Sequence, residues 1–317
     1  MRHRKGKILM YIGKRILMVI PVALIMTMLV FGLSQLSSGD PARVIAEKIY
    51  EHPTRTEVEQ VRHEQGLDRS LYQQYLRWLS HVVQGDFGNS YQTEEPAMDE
   101  LASRMPATLK LAGLAFVLLL AIAVPLGILS AVFQDSWIDR IIQGISFFSV
   151  SMPAFWMGLL LLYWFGVKLQ IIPVIGGADN GGSSFLAALT LDIGFIGILT
   201  RLVRTNLKEI LAKGYIRACR AQGISSAKIV LKHGMKNAVL PAVTQIGNMC
   251  VMLLSGSAIV ESIFSIQGIG NLALESVYTK DLPVLQCFIL VVTCLVVLIN
   301  LAVDLLYSVI DVRIKLN

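Results

Sequence analysis

The chain has 317 residues, 54% of them hydrophobic and only 16% charged. An ordinary soluble domain carries roughly 25% charged residues, so a water-surrounded globule is excluded for the bulk of the chain. The formal net charge is +6. A basic chain can serve nucleic acid or anionic lipid, and here Lys and Arg gather at the ends of apolar runs, so a membrane is expected and nucleic acid is not.

A spanning helix needs about 20 mostly apolar residues, and six segments supply them. They cover residues 12–36, 107–133, 141–167, 185–202, 238–264 and 283–310. The fourth is short and contains Asp192. The first has a basic lead, as a secretory signal would, but it runs on too long and lacks a small-residue cleavage site, so no cleaved leader is expected.

Orientation follows from the flanks. The N-terminal tail carries Arg2, Arg4, Lys5, Lys7, Lys14 and Arg15 with no acid. The connection between spans four and five carries Arg204, Lys208, Lys213, Arg217, Arg220, Lys228, Lys232 and Lys236 against Glu209 alone. The opposite short loops carry only Lys168 and Lys280. Both termini are therefore expected in the cytoplasm. Three regions result: a tail and first span over 1–36, an external domain over 37–104, and a five-helix core over 105–317 with a cytoplasmic loop over 203–237. The external segment holds seven basic and twelve acidic residues, and long external segments follow no positive bias. Its stretch Arg55 to Val83 has helical spacing, with Leu71, Tyr75, Trp78 and Leu79 on one face.

The four cysteines, Cys219, Cys250, Cys287 and Cys294, form no CxxC pair and read as small packed side chains. His52, His63, His81 and His233 have no metal-ligand spacing, so no metal site is expected. Met26, Met28, Met249 and Met252 read as packing residues. Acids inside spans are costly and are functional candidates by default. Glu261, Asp304 and Asp192 are the ones here, and Glu261 and Asp304 read first as structural acids that pair between helices or with loop backbone. Asp192 lines a path for a cationic cargo, lies at the wet end of a helix that starts later, or pairs with a neighbour.

The cytoplasmic connection contains Gly214-Tyr215-Ile216-Arg217-Ala218-Cys219-Arg220-Ala221-Gln222-Gly223-Ile224. Two glycines bracket one short helical stretch, and a glycine just past a helix is a common stop. Ala218, Cys219 and Ala221 would let another surface come close, and Arg217 and Arg220 share a face. On composition alone, a solvated basic loop is the preferred reading of the segment.

Continuing to Asn237-Ala238-Val239-Leu240-Pro241, this loop resembles the Glu-Ala-Ala coupling loop of ABC importer permeases. Arg217-Ala218-Cys219 stands in the triplet and Gly223 in the glycine position, substitutions usual in the dipeptide/oligopeptide/nickel branch. Further matches follow in order. They are Ser38-Gly39-Asp40-Pro41-Ala42, Gly66-Leu67-Asp68, Gln74-Tyr75, Trp78-Leu79, Gly85-Asp86-Phe87-Gly88 and Pro106-Ala107-Thr108-Leu109. Ser151 to Trp156, Glu261-Ser262-Ile263-Phe264, Gly268, Gly270, Asp281 to Gln286 and the closing Asn300 to Arg313 complete the series. Gln267, Asn271 and Val312 depart from the family pattern.

The resemblance implies an all-α, multi-pass subunit of a prokaryotic plasma (inner) membrane. It implies pairing with a second homologous permease subunit, two ABC ATPase subunits and an extracytoplasmic substrate-binding protein. Tyr215, Arg217, Ala218, Cys219, Arg220, Ala221, Gln222, Gly223 and Ile224 would contact an ATPase, and Asp192 and Glu261 are the translocation-path candidates. The chain has no phosphate-binding Gly-x-x-x-x-Gly-Lys loop, so it is expected to be no enzyme and to bind no cofactor, with ATP and Mg on the partner ATPases. The resemblance runs closest to the nickel branch, which makes nickel, free or as a chelate, the expected cargo over di- or oligopeptides. Two other classes remain at this point. A secondary transporter would need broken helices or midplane carboxylates. An intramembrane enzyme would need a nucleophile and base at bilayer depth.

Overall fold

The computed structural model describes residues 20–29, 31–32, 40–173, 181–255 and 257–310, with Gly13 and Leu17 besides. The expected basic tail, the Ser38-Gly39 of the first motif, and Val312 and Arg313 of the last lie outside them. The described residues are mostly helical, and the one bridge between extended residues among them joins Asn89 to Pro96. The chain divides into two compact units, Ile12–Pro106 with Asn271–Val297, and Ala107–Gly270 with Leu298 onward.

The first unit begins, as described, with the apolar helix α1 (Ile20–Leu29). Helix α2 (Pro41–Ile49) starts where it does because Asp40 caps it. One carboxylate oxygen accepts from the Ala42 amide at 3.1 Å and the other from Arg62 Nη2 at 2.5 Å. Pro41 at the first helical position gives up an N–H that had no partner anyway. This explains the Asp-Pro-Ala order. The external stretch expected to run as one helical pattern is two helices, α3 (Arg55–Glu64) and α4 (Leu71–Val83). Thr54 and Glu57 form a capping box at the start of α3, and Gly66 turns the chain after it with φ +67°. The face of α4 is also narrower than expected. Tyr75 is buried, while Leu71 is 53% exposed. The Tyr75 hydroxyl meets Thr27 Oγ1 at 3.1 Å, and its ring meets Phe31 edge-on at 5.7 Å. Farther on, Ser90 Oγ donates to Asp281 at 2.5 Å. Burial, aided by the charge of Asp281, pushes the Tyr91 phenol up to about 12.

The second unit holds most of the long helices. Helix α5 (Ala97–Val132) enters from the first unit without a break, so Pro106 to Leu109 lies inside a helix rather than at its start. Leu111, Ala115, Leu119 and Ala123 are buried at four-residue spacing and form its core stripe. The third expected span is bent. Helix α6 (Trp137–Ser151) stops at Met152, and α7 (Ala154–Leu161) leaves at 103°, continuing as a π-helix over Leu162–Lys168. Pro153 explains the stop, since a residue before proline avoids helical angles. The fourth span is no short segment. Helix α8 (Gly181–Leu211) has 31 residues, and its last turns are the basic ones that a hydropathy window leaves out.

Helix α9 (Gly214–Ala221) follows, then α10 (Ser226–Lys228) and a π-helix over Ile229–Gly234. The fifth expected span is described as α11 (Met235–Ser255), with Pro241 inside it, and α12 (Ser257–Ile263). Helices α13 (Ile269–Thr279) and α14 (Leu282–Ile310) complete the chain. Among the described residues, three helices are long and apolar enough to cross a membrane, or up to five if each bent pair counts as one. Of the expected first span, α1 is the described part.

The main core joins the α5 stripe to Ala188, Leu199 and Val203 of α8 and to Met249 and Leu253 of α11. Two glycines set the closeness. A Cβ on Gly127 would meet Val203 at 2.6 Å and the Thr200 carbonyl at 2.8 Å, and one on Gly197 would run into Ser146 and Ser149 of α6. Helices α5 and α6 therefore both lie hard against α8.

Candidate functional site

Helix α9 begins two residues after α8 ends. Its stop is a complete glycine-terminated cap. Gly223 sits at φ +75°, its amide donates to the Arg220 carbonyl at 3.0 Å, and the Ile224 amide reaches back to the Cys219 carbonyl at 3.2 Å. That pair of bonds satisfies end carbonyls that would otherwise need water. A helix of eight residues gains little from its own backbone, so its docking matters more. Ile216 is fully buried and anchors it. Tyr215, 40% exposed, accepts from Asn237 Nδ2 at 3.0 Å and approaches the His233 carbonyl at 3.4 Å. Arg217, Ala218, Arg220, Ala221, Gln222 and Gly223 are all exposed, and Cys219 and Ile224 are half-buried. The result is a rigid, pinned helix with a small-residue, basic outer face.

The two acids proposed for the path differ sharply. Glu261 is fully buried in α12 and accepts from Thr108 Oγ1 at 2.7 Å. The same hydroxyl accepts from the Ile269 amide at 2.9 Å, and the Glu261 carbonyl takes the Ile266 amide at 2.8 Å. A side chain on Gly268 would collide with the Glu261 carboxylate. Thr108 of α5, α12 and the 266–269 turn are thus locked to one another.

Asp192 is also fully buried, yet neither carboxylate oxygen has a hydrogen-bond partner. The wet-end alternative does not survive, because α8 starts eleven residues earlier. Leu199 and Val203, seven and eleven residues on, share the face of Asp192, and both belong to the main core. Leaving polar atoms unmet in apolar surroundings costs several kcal/mol, roughly 1–3 by mutational measures. The side chain of Asp304 lies outside the described residues.

The most fully satisfied polar cluster was not anticipated from sequence. Asp139, in the first turn of α6, receives a two-pronged contact from Arg204 of α8, with Nε to Oδ1 and Nη2 to Oδ2 both at 2.7 Å. Ser130 Oγ donates to Oδ1 at 2.5 Å, and the Asp135 amide to Oδ2 at 2.9 Å. Gln143 Nε2 donates to Ser130 at 3.0 Å. Asp139 and Arg204 expose 4% and 19% of their side chains. Half of this was readable, since Ser136 followed three residues later by an acid marks a helix start, and Ser136 does cap α6. Its partner lies 65 residues away, where Arg204 had been counted only as one of the loop's cations.

Residues 123–316 match the family of binding-protein-dependent transport system inner membrane components, and residues 8–112 match the N-terminal region of such components. The chain is 39% identical over 305 residues to the glutathione transport system permease protein GsiC of Shigella boydii serotype 4 (strain Sb227). The same figure holds for the protein of that name from Escherichia coli K12, and each match covers 96% of this chain and 98% of the relative. Among solved structures, the inward-facing MetNI methionine ABC transporter aligns with a TM-score of 0.59 at 22% identity, over 68% of this chain and 97% of that one. This last is a likeness of fold.

Proposed function

From the premise that the chain belongs to the family of binding-protein-dependent transport system inner membrane components, we propose that it is a permease subunit of an ABC importer for a small peptide. The cargo would be of the glutathione or di-/oligopeptide class. It works in the plasma (inner) membrane beside a second homologous permease subunit, on two ATPase subunits that hold ATP and Mg, and receives cargo from an extracytoplasmic binding protein. The nickel preference expected from sequence is replaced. It rested on scaffold motifs shared across the branch, whereas relatives 38–39% identical along almost the whole chain are named for glutathione. Both termini lie in the cytoplasm, residues 37–104 form an external domain, and residues 105–317 form the permease core.

The observation that carries the reading is α9. A capped helix, pinned by Ile216 and turning small and basic residues outward, suits a groove on a partner. Tyr215 to Ile224 forms the ATPase contact, and closure of the ATPases pulls α9 and with it the end of α8. Asp192, the one span acid with unmet oxygens among the described residues, is the candidate for contact with the cationic amino end of a passing peptide. The bonds of Glu261 support a helix-locking role for it instead.

Uptake of labelled glutathione, a labelled dipeptide and labelled nickel in cells lacking the chain tests the cargo. Restored peptide uptake on re-expression is expected. Nickel uptake without peptide uptake would overturn the cargo class.

A further inference from the structure

The geometry points to Arg204 and Asp139 as the joint that carries the displacement of α9 into α6, which makes them positioning residues for transport rather than fold glue alone. The inference rests on the proposed ATPase contact at α9.

Only Ala212 and Lys213 separate α8 from α9, and both are tied back to α8, Ala212 to the Lys208 carbonyl at 3.2 Å and Lys213 to the Ile210 carbonyl at 3.1 Å. A pull on α9 therefore arrives at the last turns of α8 with little slack. Those turns are held in three ways. Leu207 and Ile210 pack with Ala131 and Ala238 in a small separate core. Asn206 Nδ2 donates to the Ala238 carbonyl at 3.3 Å. Arg204 grips Asp139 with two bonds of 2.7 Å.

These holds respond differently to a shift along the helix axis. Apolar contacts permit sliding of packed helices by an ångström or two. A two-pronged guanidinium–carboxylate pair has fixed direction and distance, and any axial shift of α8 alone would open both prongs while leaving two charges in a nearly dry site. That is unfavourable by far more than sliding of side chains, so α6 must follow α8. Ser130 of α5 and the Asp135 amide fill the remaining positions around Asp139, which fixes it to the α5–α6 turn, and Gln143 of α6 holds Ser130 in turn. Helix α6 ends at the 103° bend into α7, so movement of α6 changes that bend. The lysines and arginines farther along the connection are exposed, or half-buried in the case of Lys208, whereas Arg204 alone among them enters a buried ion pair with an acid of another helix among the described residues.

The test uses the complete importer in proteoliposomes, with peptide uptake and binding-protein-stimulated ATP hydrolysis measured side by side. Arg204→Lys keeps the charge and loses the fork, Asp139→Asn keeps the shape and loses the charge, and Asp139→Arg/Arg204→Asp reverses the pair. Each single variant should keep stimulated hydrolysis within about twofold and lose about tenfold or more in uptake, a coupling change of ordinary size. The reversed pair should regain part of the uptake. Parallel loss of hydrolysis and uptake would overturn the inference, because a structural or docking role predicts it. Unchanged uptake in folded Arg204→Lys would overturn it as well. Ala218→Glu in the same assay separates the two levels. If Ala218→Glu uncouples and Arg204→Lys does not, the joint alone is wrong. If Ala218→Glu leaves both activities normal, the α9 contact is wrong.

Discussion

The two halves of α8 treat a buried charge in opposite ways. In the lower half, Arg204 enters a nearly dry site and finds Asp139 with both prongs, backed by Ser130 and a backbone amide. In the upper half, Asp192 enters the main core, and both its oxygens are unmet. A matched buried charge adds direction to a contact, whereas an unmatched one is a standing cost that a fold without a use for it would shed. The same helix therefore carries a matched charge toward its C-terminal end and an unmatched carboxylate near its middle. Glu261 sharpens the contrast from outside α8. It is as buried as Asp192 and as deep in apolar sequence, but Thr108 meets it.

Stability measurements on purified protein can break this contrast. Asp139→Ala should have the largest effect, a loss of about 3–5 kcal/mol, since removing one partner of a buried pair strands the other. Thermal or denaturant unfolding reads it, and a loss under 1 kcal/mol would mean that water takes over from Asp139. Thr108→Val should cost about 1–3 kcal/mol by leaving Glu261 and the Ile269 amide short of a partner. Asp192→Leu should move the other way, stabilising by about 1–2 kcal/mol through removal of unmet polar atoms. Destabilisation instead would show that Asp192 is satisfied in solution. If Asp192→Leu is more stable yet takes up less peptide, the unmet carboxylate is in use. Ala218→Glu, on the exposed face of α9, should change stability by no more than about 0.5 kcal/mol.

How much of this was legible follows from range. Local signals were reliable. Gly223 marked a stop and is one in the fold, whereas the Asp40-Pro41 start of α2 was noted only as a family motif. The short helix from Gly214 was readable from its bracketing glycines, though the sequence could not say that Ile216 would be its anchor. Hydropathy located the apolar runs but misjudged their ends. The basic last turns of α8 are helical and yet too polar to count, and the first turns of α5 carry Asp99 and Glu100. The break at Met152–Pro153 was written in the proline, while a hydropathy window passes over it. The break at Gly66 was missed for a related reason, since α3 and α4 keep a common spacing on either side of it. What no local pattern could give was Arg204 meeting Asp139 across 65 residues, or Glu261 meeting Thr108 across 153. Those contacts are set by which helices pack together, and Gly127 and Gly197 decide that by how closely they allow α5 and α6 to approach α8.

The central claim is that ATP hydrolysis elsewhere drives peptide through this chain by way of α9. Its most direct test is the ratio of peptide imported to ATP hydrolysed by the complete importer in proteoliposomes, for wild type and Ala218→Glu. A finite wild-type ratio that collapses in Ala218→Glu, in protein of unchanged stability, is the predicted result. Equal ratios in the two proteins, or peptide uptake by the wild type without ATP, would contradict the account.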